Sequence, residues 1–333
     1  MIKILRTLNI GVMNLFCAAF VLGSIVILTS GALAQTYPTK PIRIIVAGTP
    51  GASSDIIARL IGAKLAESFG QQVIVDNRAG AGGRIGTEVA VRAVPDGYTL
   101  LLMSSALVVN SAVYKDLKFD ILKDFAPIGL LGTTPSILVV NPVVPAASVT
   151  ELMMLAKSKP GVLKFSSSGS GSSTQLAAEV FKFMSGTDIM HVPYKGTTPA
   201  LTATMSGEVD MQFPPMTTCV SLIKSGKLRG LGVTSAKRTM LVPGLPAIAE
   251  TVPGYEFMLW QGLVAPAHTP PAILARLNAE INKALKTADA QEKMAAIGNE
   301  PLSSTQEEFA SYMSAQLEKM KEAVKLAGVR EES

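Results

Sequence analysis

The chain has 333 residues, 48% hydrophobic and only 17% charged, with a mean hydropathy of +0.36. That excludes a disordered protein and leaves room for two lobes, each with its own core. The formal net charge of +5 comes without any Lys/Arg cluster, so no nucleic-acid footprint is expected, and a mildly basic chain suits small anionic solutes.

In chain order, Lys3 and Arg6 open the sequence and no further charge appears before Lys40. Between them runs an apolar stretch, Ile10 to Leu28, with Ala32-Leu33-Ala34 ahead of Gln35. Residues 1–34 are therefore expected to be a signal peptide for export. The alternative is an uncleaved anchor, because ~19 apolar residues can span a bilayer; Asn9, Gly11, Asn14, Gly23 and Ser24 dilute the stretch. Cleavage removes Lys3 and Arg6, lowers the net charge to +3, and leaves Cys219 as the lone cysteine. No internal disulfide is then possible, and with His191 and His268 as the only histidines no metal site is expected.

The rest reads as alternating strands and helices. Ile42–Ala47 has the composition of a buried strand, and Ile56, Ile57, Leu60, Ile61 and Leu65 follow at helical spacing. Val73–Val75 is a second strand, the glycine-rich Ala79–Gly86 leads into a helix, and Pro95-Asp96-Gly97 turns into strand Tyr98–Met103. A second series starts after Ile137–Val140: helix Glu151–Lys157, strand Lys164–Ser167, helix Leu176–Met184 and strand Ile189–Tyr194. A helix capped by Thr198 with Pro199 at its start, strands Val209–Phe213 and Leu228–Thr234, and a helical tail opened by a Ser304/Glu307 capping box complete it. Such alternation implies an α/β fold of mostly parallel sheets. The chain can cross between lobes near Thr133–Val140 and Leu259–Pro266, a two-strand hinge joining lobe 1 (37–136 plus 263–333) to lobe 2 (137–262).

Each series contains one strand that ends in a small-residue loop and then a helix. The first loop is Gly48-Thr49-Pro50-Gly51-Ala52-Ser53-Ser54-Asp55; the second is Ser168-Gly169-Ser170-Gly171-Ser172-Ser173. Ligands of open α/β sheets bind beyond the carboxyl ends of strands, where a helix N-terminus offers unpaired N–H groups to an anion. Glycine permits close approach, and serine adds donors without a fixed charge. Either loop alone is adequately explained as a turn and a cap; the pair points to a small carboxylate gripped from both sides. Candidate binding residues are Thr49, Gly51, Ala52, Ser53, Ser168, Gly169, Ser172 and Ser173, with Ser105, Tyr194 and Gly196 at neighbouring strand ends. Asp55 belongs to the first loop, and its expected role is to cap free N–H groups and hold the loop's shape.

Enzymatic readings find less support. Gly80-x-Gly82-x-x-x-Gly86 misses the dinucleotide spacing, no phosphate-binding Gly-Lys-Ser/Thr occurs, and no Gly-x-Ser-x-Gly elbow is present. Ser221-x-x-Lys224 lacks its companion motifs, so no catalytic residue and no cofactor are expected.

Several segments together resemble the Bug family, the extracytoplasmic receptors of tripartite tricarboxylate transporters. They are Tyr37-Pro38-x-Lys40-Pro41-Ile42-Arg43, Pro50-Gly51 with Asp55-Ile56-Ile57-Ala58-Arg59, Asn77 to Gly83, Pro95 to Leu101, Lys123 to Ile128 and His191 to Gly196, in that order. The resemblance covers residues 37–330 and implies a type II periplasmic binding-protein fold. It also implies a ligand carboxylate held between two strand-to-helix loops, and integral membrane subunits as partners. Three departures bear on the ligand: Ala52 replaces a frequent glycine, Gln175 a frequent histidine, and Pro214-Pro215 a frequent Asp-Asn pair. The last removes an acid that would meet an amino group, which favours a carboxylate without an amine. A monomeric receptor is expected, with a carboxylate-sensing receptor for a signalling partner, or a small-molecule hydrolase or transferase using a serine or the Tyr194/Lys195 pair, as alternatives.

Overall fold

A computed structural model describes residues 37–114 and 116–327; the expected signal peptide lies outside the described residues. Chain contacts group Lys40–Ser333 as one unit and Met1–Thr39 as another. Within the larger unit the chain builds two sheets, each flanked by helices.

The first sheet begins with β1 (Ile42–Val46), whose Ile-Arg-Ile-Ile-Val is almost wholly buried. Helix α1 (Ser53–Phe69) lays Ile57, Ala58, Ile61 and Leu65 against the sheet and returns the chain to β2 (Val73–Asn77). Helix α2 (Arg84–Val91) then leads to β3 (Thr99–Ser104), and α3 (Ser105–Val113) follows at once. Strand β4 (Phe125–Pro135) runs straight into β5 (Ile137–Val140) across the single residue Ser136. The second sheet comprises β5, β6 (Lys164–Ser167), β7 (Met190–Pro193), β8 (Met211–Gln212) and β9 (Arg229–Val233). Its helices are α4 (Val149–Ser158), α5 (Ser173–Ser185), α6 (Thr197–Ser206) and α7 (Met216–Lys224). The chain then re-enters the first sheet as β10 (Met258–Pro266), and ends with α8 (Pro271–Leu285), α9 (Ala288–Ala296), β11 (Glu300–Pro301) and α10 (Gln306–Ala327).

The strand orders are β11-β4-β10-β3-β1-β2 and β7-β6-β8-β5-β9. Only β1/β2, β1/β3, β6/β7 and β6/β8 are parallel, so the sheets are mixed rather than mostly parallel. The antiparallel pairs come from the crossing strands: β10 lies between β3 and β4 and opposes both. Met258 already pairs with Pro135, so sheet pairing in the first lobe starts ahead of the expected break at 262/263. Where the two passes meet, Ser136 N–H donates to Thr234 Oγ1 at 2.8 Å, and Thr234 N–H donates back to Ser136 O at 2.9 Å.

Two caps fall one or two residues from where the sequence placed them. Helix α6 starts at Thr197, with Gly196 at its N-cap, because a φ of 114° there is open only to glycine. The final capping box is Thr305/Glu308: Thr305 N–H donates to Glu308 Oε2, and Glu308 N–H to Thr305 Oγ1. Ser304 instead accepts from Leu130 N–H on β4.

Candidate functional site

Strands β1 and β6 occupy interior places in their sheets and run parallel to both neighbours, so their carboxyl ends open onto loops that begin helices. The two loops share one backbone design. Gly51 (φ 79°) and Gly171 (φ 71°) each hold a left-handed turn that a side chain would strain. Ala52 (φ −71°, ψ 159°) and Ser172 (φ −80°, ψ 157°) then occupy the N-caps, and their N–H groups donate back to Thr49 O and Gly169 O. Finally the glycine N–H is taken by the side chain four residues on: Gly51 by Asp55 Oδ2 at 2.9 Å, Gly171 by Gln175 Oε1 at 2.7 Å.

This bond directs the remaining donors. No described residue accepts from the backbone N–H of Ser53, Ser54 or Asp55, nor from that of Ser170, Ser173 or Thr174. These are free donors at the positive ends of two helix dipoles. The hydroxyls of Ser53, Ser54, Ser170 and Ser173 also have no partner among the described residues. Gly51 N–H, by contrast, is spent inside its own loop.

Asp55 is buried, 3% exposed, beside these donors. Burial pushes its carboxyl up, but hydrogen bonds from Arg59, Gly51 N–H and Asn77 outweigh that and hold it below the ordinary carboxylate value. Its charge is matched by Arg59 at 2.9 Å, so the loop still suits an anion.

The second loop is tied internally by Thr174, whose Oγ1 accepts Ser168 N–H at 2.9 Å and lies within 3.0 Å of the Ser168 and Ser172 hydroxyls. Gly196 N–H donates to Ser168 O, and Tyr194 N–H to Ser167 O, so both residues buttress this loop by backbone. The Tyr194 phenol is directed to Glu208 at 2.8 Å; burial, then that carboxylate, push it up to about 12. Ser105 is buried at the start of α3, its Oγ accepting Trp260 N–H at 3.4 Å. Thr49 and Ala52 are exposed, and Ser53, Ser168, Gly169, Ser172 and Ser173 are half-buried.

Contacts lead from the first loop toward the second. A Cβ on Gly86 would lie 2.9 Å from Ala47 Cα, so the glycine-rich run exists to seat α2 against the end of β1. Asn110 on α3 donates to Gly82 O in that run, and one turn later Tyr114 Oη lies 3.4 Å from where a Cβ on Gly171 would stand. Tyr114, Thr174 and Gln175 were not among the sequence candidates. The signal for the last two was present: Gly51-Ala52-Ser53-Ser54-Asp55 and Gly171-Ser172-Ser173-Thr174-Gln175 both run glycine, small residue, serine, hydroxyl residue and a longer side chain with an acceptor oxygen.

The sequence model described as the tripartite tricarboxylate transporter family receptor, TctC, matches residues 57–329. The chain belongs to that family. Among curated relatives it is 36% identical to the protein BugT of Bordetella pertussis, over 89% of this chain and 92% of the relative. Among solved structures it is similar to R. palustris Rpa4515 with adipate, at a TM-score of 0.80 and 32% identity, covering 88% of this receptor and 99% of that chain. It is also similar to MatC (Rpa3494) from Rhodopseudomonas palustris with bound malate, at a TM-score of 0.76 and 27% identity, covering 86% and 100%. The two-lobed α/β fold and the family expected from the motifs are thereby established. No helix among the described residues of the receptor is long and apolar enough to cross a membrane.

Proposed function

We propose that this receptor is a periplasmic protein that captures a small carboxylate between its two lobes and hands it to the integral membrane subunits of a tripartite transporter. The observation that carries the reading is the repeated loop, one copy per lobe, each tying up its own glycine N–H and leaving the first-turn donors of α1 and α5 free. Two relatives whose structures hold adipate and malate support a carboxylate as the cargo.

Ser53, Ser54, Ser173 and Thr174 would supply the N–H groups, with Ser53 and Ser173 hydroxyls beside them. Three or four hydrogen bonds to a charged group, at ~1.5–3 kcal/mol each, leave roughly micromolar binding once closure and ordering are subtracted. Thr49, Gly51, Ala52, Asp55, Ser168, Gly169, Ser172 and Gly196 shape the two loops, and Ser105 and Tyr194 stand behind them. The lobes close about Ser136 and the segment ahead of Met258, in a hinge motion. The receptor acts as a monomer and carries no chemistry of its own: the Tyr194 phenol is engaged by Glu208, so the pair Tyr194/Lys195 offers no poised base.

A thermal-shift screen over C4–C6 mono- and dicarboxylates tests the reading, since a ligand that binds only the native state raises the melting point. Gly171→Val is the companion variant, because a β-branched residue cannot hold φ 71° and its side chain would meet Tyr114. A shift in the wild type that vanishes in the folded variant supports the site; equal shifts in both would refute it.

A further inference from the structure

The second loop is held from an edge strand by a relay with one titratable member. His191 lies on β7, with Nε2 2.7 Å from Ser167 Oγ and Nδ1 3.2 Å from Gln175 Nε2. Gln175 Oε1 accepts Gly171 N–H, so the amide group of Gln175 turns its NH2 toward the imidazole. Nδ1 must therefore accept, and the neutral ring carries its proton on Nε2. Ser167 Oγ also takes Gly169 N–H, at 3.2 Å. A single imidazole thus sets both Gly169 and Gly171. In the first loop the corresponding place is filled by Asp55 and Arg59, an ion pair that keeps its charge at neutral pH.

We propose that His191 is a positioning residue for the carboxylate site, acting through Gln175 on Gly171 and through Ser167 on Gly169, and that the proton it takes up in mild acid loosens this loop and weakens carboxylate binding. The proposal rests on the second loop being half of the site. Imidazolium has a hydrogen on both nitrogens, so Nδ1–H would face the Gln175 NH2, donor against donor. Turning the amide over would satisfy the ring and set NH2 against Gly171 N–H. In either arrangement one donor loses its acceptor. On α5, beyond Gln175, the charged residues are Glu179 and Lys182, paired with each other at 2.9 Å. Lys182 lies 5.5 Å from the Phe165 ring on which His191 stacks. Phe165 and Ser167, which share the face of the ring, are uncharged, while Lys164 on β6 and Met190 and Val192 on β7 alternate to the other face. Affinity should therefore be full while His191 is neutral and fall as pH drops through its titration.

The chain has only one other histidine, and His268→Asn removes it at a φ of 67° that asparagine tolerates. In that full-length background, NMR of the imidazole nitrogens and of the Gly169 and Gly171 amides is followed from pH 8 to 5.5 without ligand. The expected result is an unprotonated Nδ1 at pH 8, with both amides moving at the midpoint of the ring. An Nδ1-protonated ring, or amides indifferent to it, would overturn the relay. Binding of adipate and of malate is then titrated over the same range in this background and with Gln175→Glu added. A carboxylate at 175 accepts from both Gly171 and imidazolium, so the acid loss of affinity, about tenfold for one charge-assisted bond, should disappear. The ligand's own protonation is common to both proteins. Equal acid loss in the two, or none in either, would overturn the positioning role. If neither acid bound at any pH while the amides followed the ring, the carboxylate reading would fall, and this role with it, leaving the relay geometry intact.

Discussion

Arg59 reaches back one turn of α1 to grip Asp55, its Nε 3.0 Å from Oδ2 and its terminal nitrogen 2.9 Å from Oδ1. The pair lets an acid sit beside the free first-turn donors of α1, because its charge is already answered and its second role is to fix Gly51. Asp55→Asn should lower stability by about 1–3 kcal/mol, read by urea unfolding at pH 7. The sign of the pH effect follows from a carboxyl held below its ordinary value despite burial. Its stabilisation is complete above that ordinary value and is lost as pH falls toward the folded value. Wild type should therefore lose more stability than Asp55→Asn between pH 5 and 3.

The free first-turn donors can be removed one lobe at a time. Ser53 and Ser173 are the first helical residues of α1 and α5, a position where proline is favoured and lacks only the N–H. Ala52 and Ser172 already have the extended backbone that a following proline requires. Ser53→Pro and Ser173→Pro should each fold normally and each weaken carboxylate binding about tenfold by calorimetric titration. Loss in only one of them would mean that one lobe does the holding.

The crossing of the two strands depends on a buried hydroxyl. Thr234→Val keeps the volume but deprives Ser136 N–H of its acceptor, at a cost of about 1–3 kcal/mol. The melting temperature should fall, and an unchanged value would show that Ser136 finds another partner.

Gly262 on β10 lies under the Phe309 ring, which is fully buried and stands edge-on to Trp260. A methyl group there would fall inside the ring. Gly262→Ala should destabilise by about 1–3 kcal/mol through displacement of α10. Thermal unfolding followed by Trp260 fluorescence measures it, since the chain has a single tryptophan.

Both loops were legible in the sequence because a run of small residues between a strand and a helix occurs in each series, and the pair carries what neither does alone. What escaped was the geometry that depends on packing. Helix α3, Ser-Ala-Leu-Val-Val-Asn-Ser-Ala-Val, is buried on nearly every side and so lacks the one-sided pattern that marks a helix. Strand β4 carries two prolines and two glycines in Phe-Ala-Pro-Ile-Gly-Leu-Leu-Gly-Thr-Thr-Pro, which argue against a long strand. It persists because β10 pairs with it along its whole length, with bulges after Gln261 and Leu263. Gln175 read as a departure from the family pattern; only the bond to Gly171 reveals it as the counterpart of Asp55. Tyr114 had no local signal, since its contact with Gly171 spans the two lobes.

The most direct measurement is a crystal structure of the receptor with the acid that gives the largest thermal shift. One carboxylate should receive N–H groups from Ser53 or Ser54 on one side and from Ser173 or Thr174 on the other, with Gly51 and Gly171 still bonded to Asp55 and Gln175. A carboxylate bound by a single loop, or away from both, would contradict capture between the lobes.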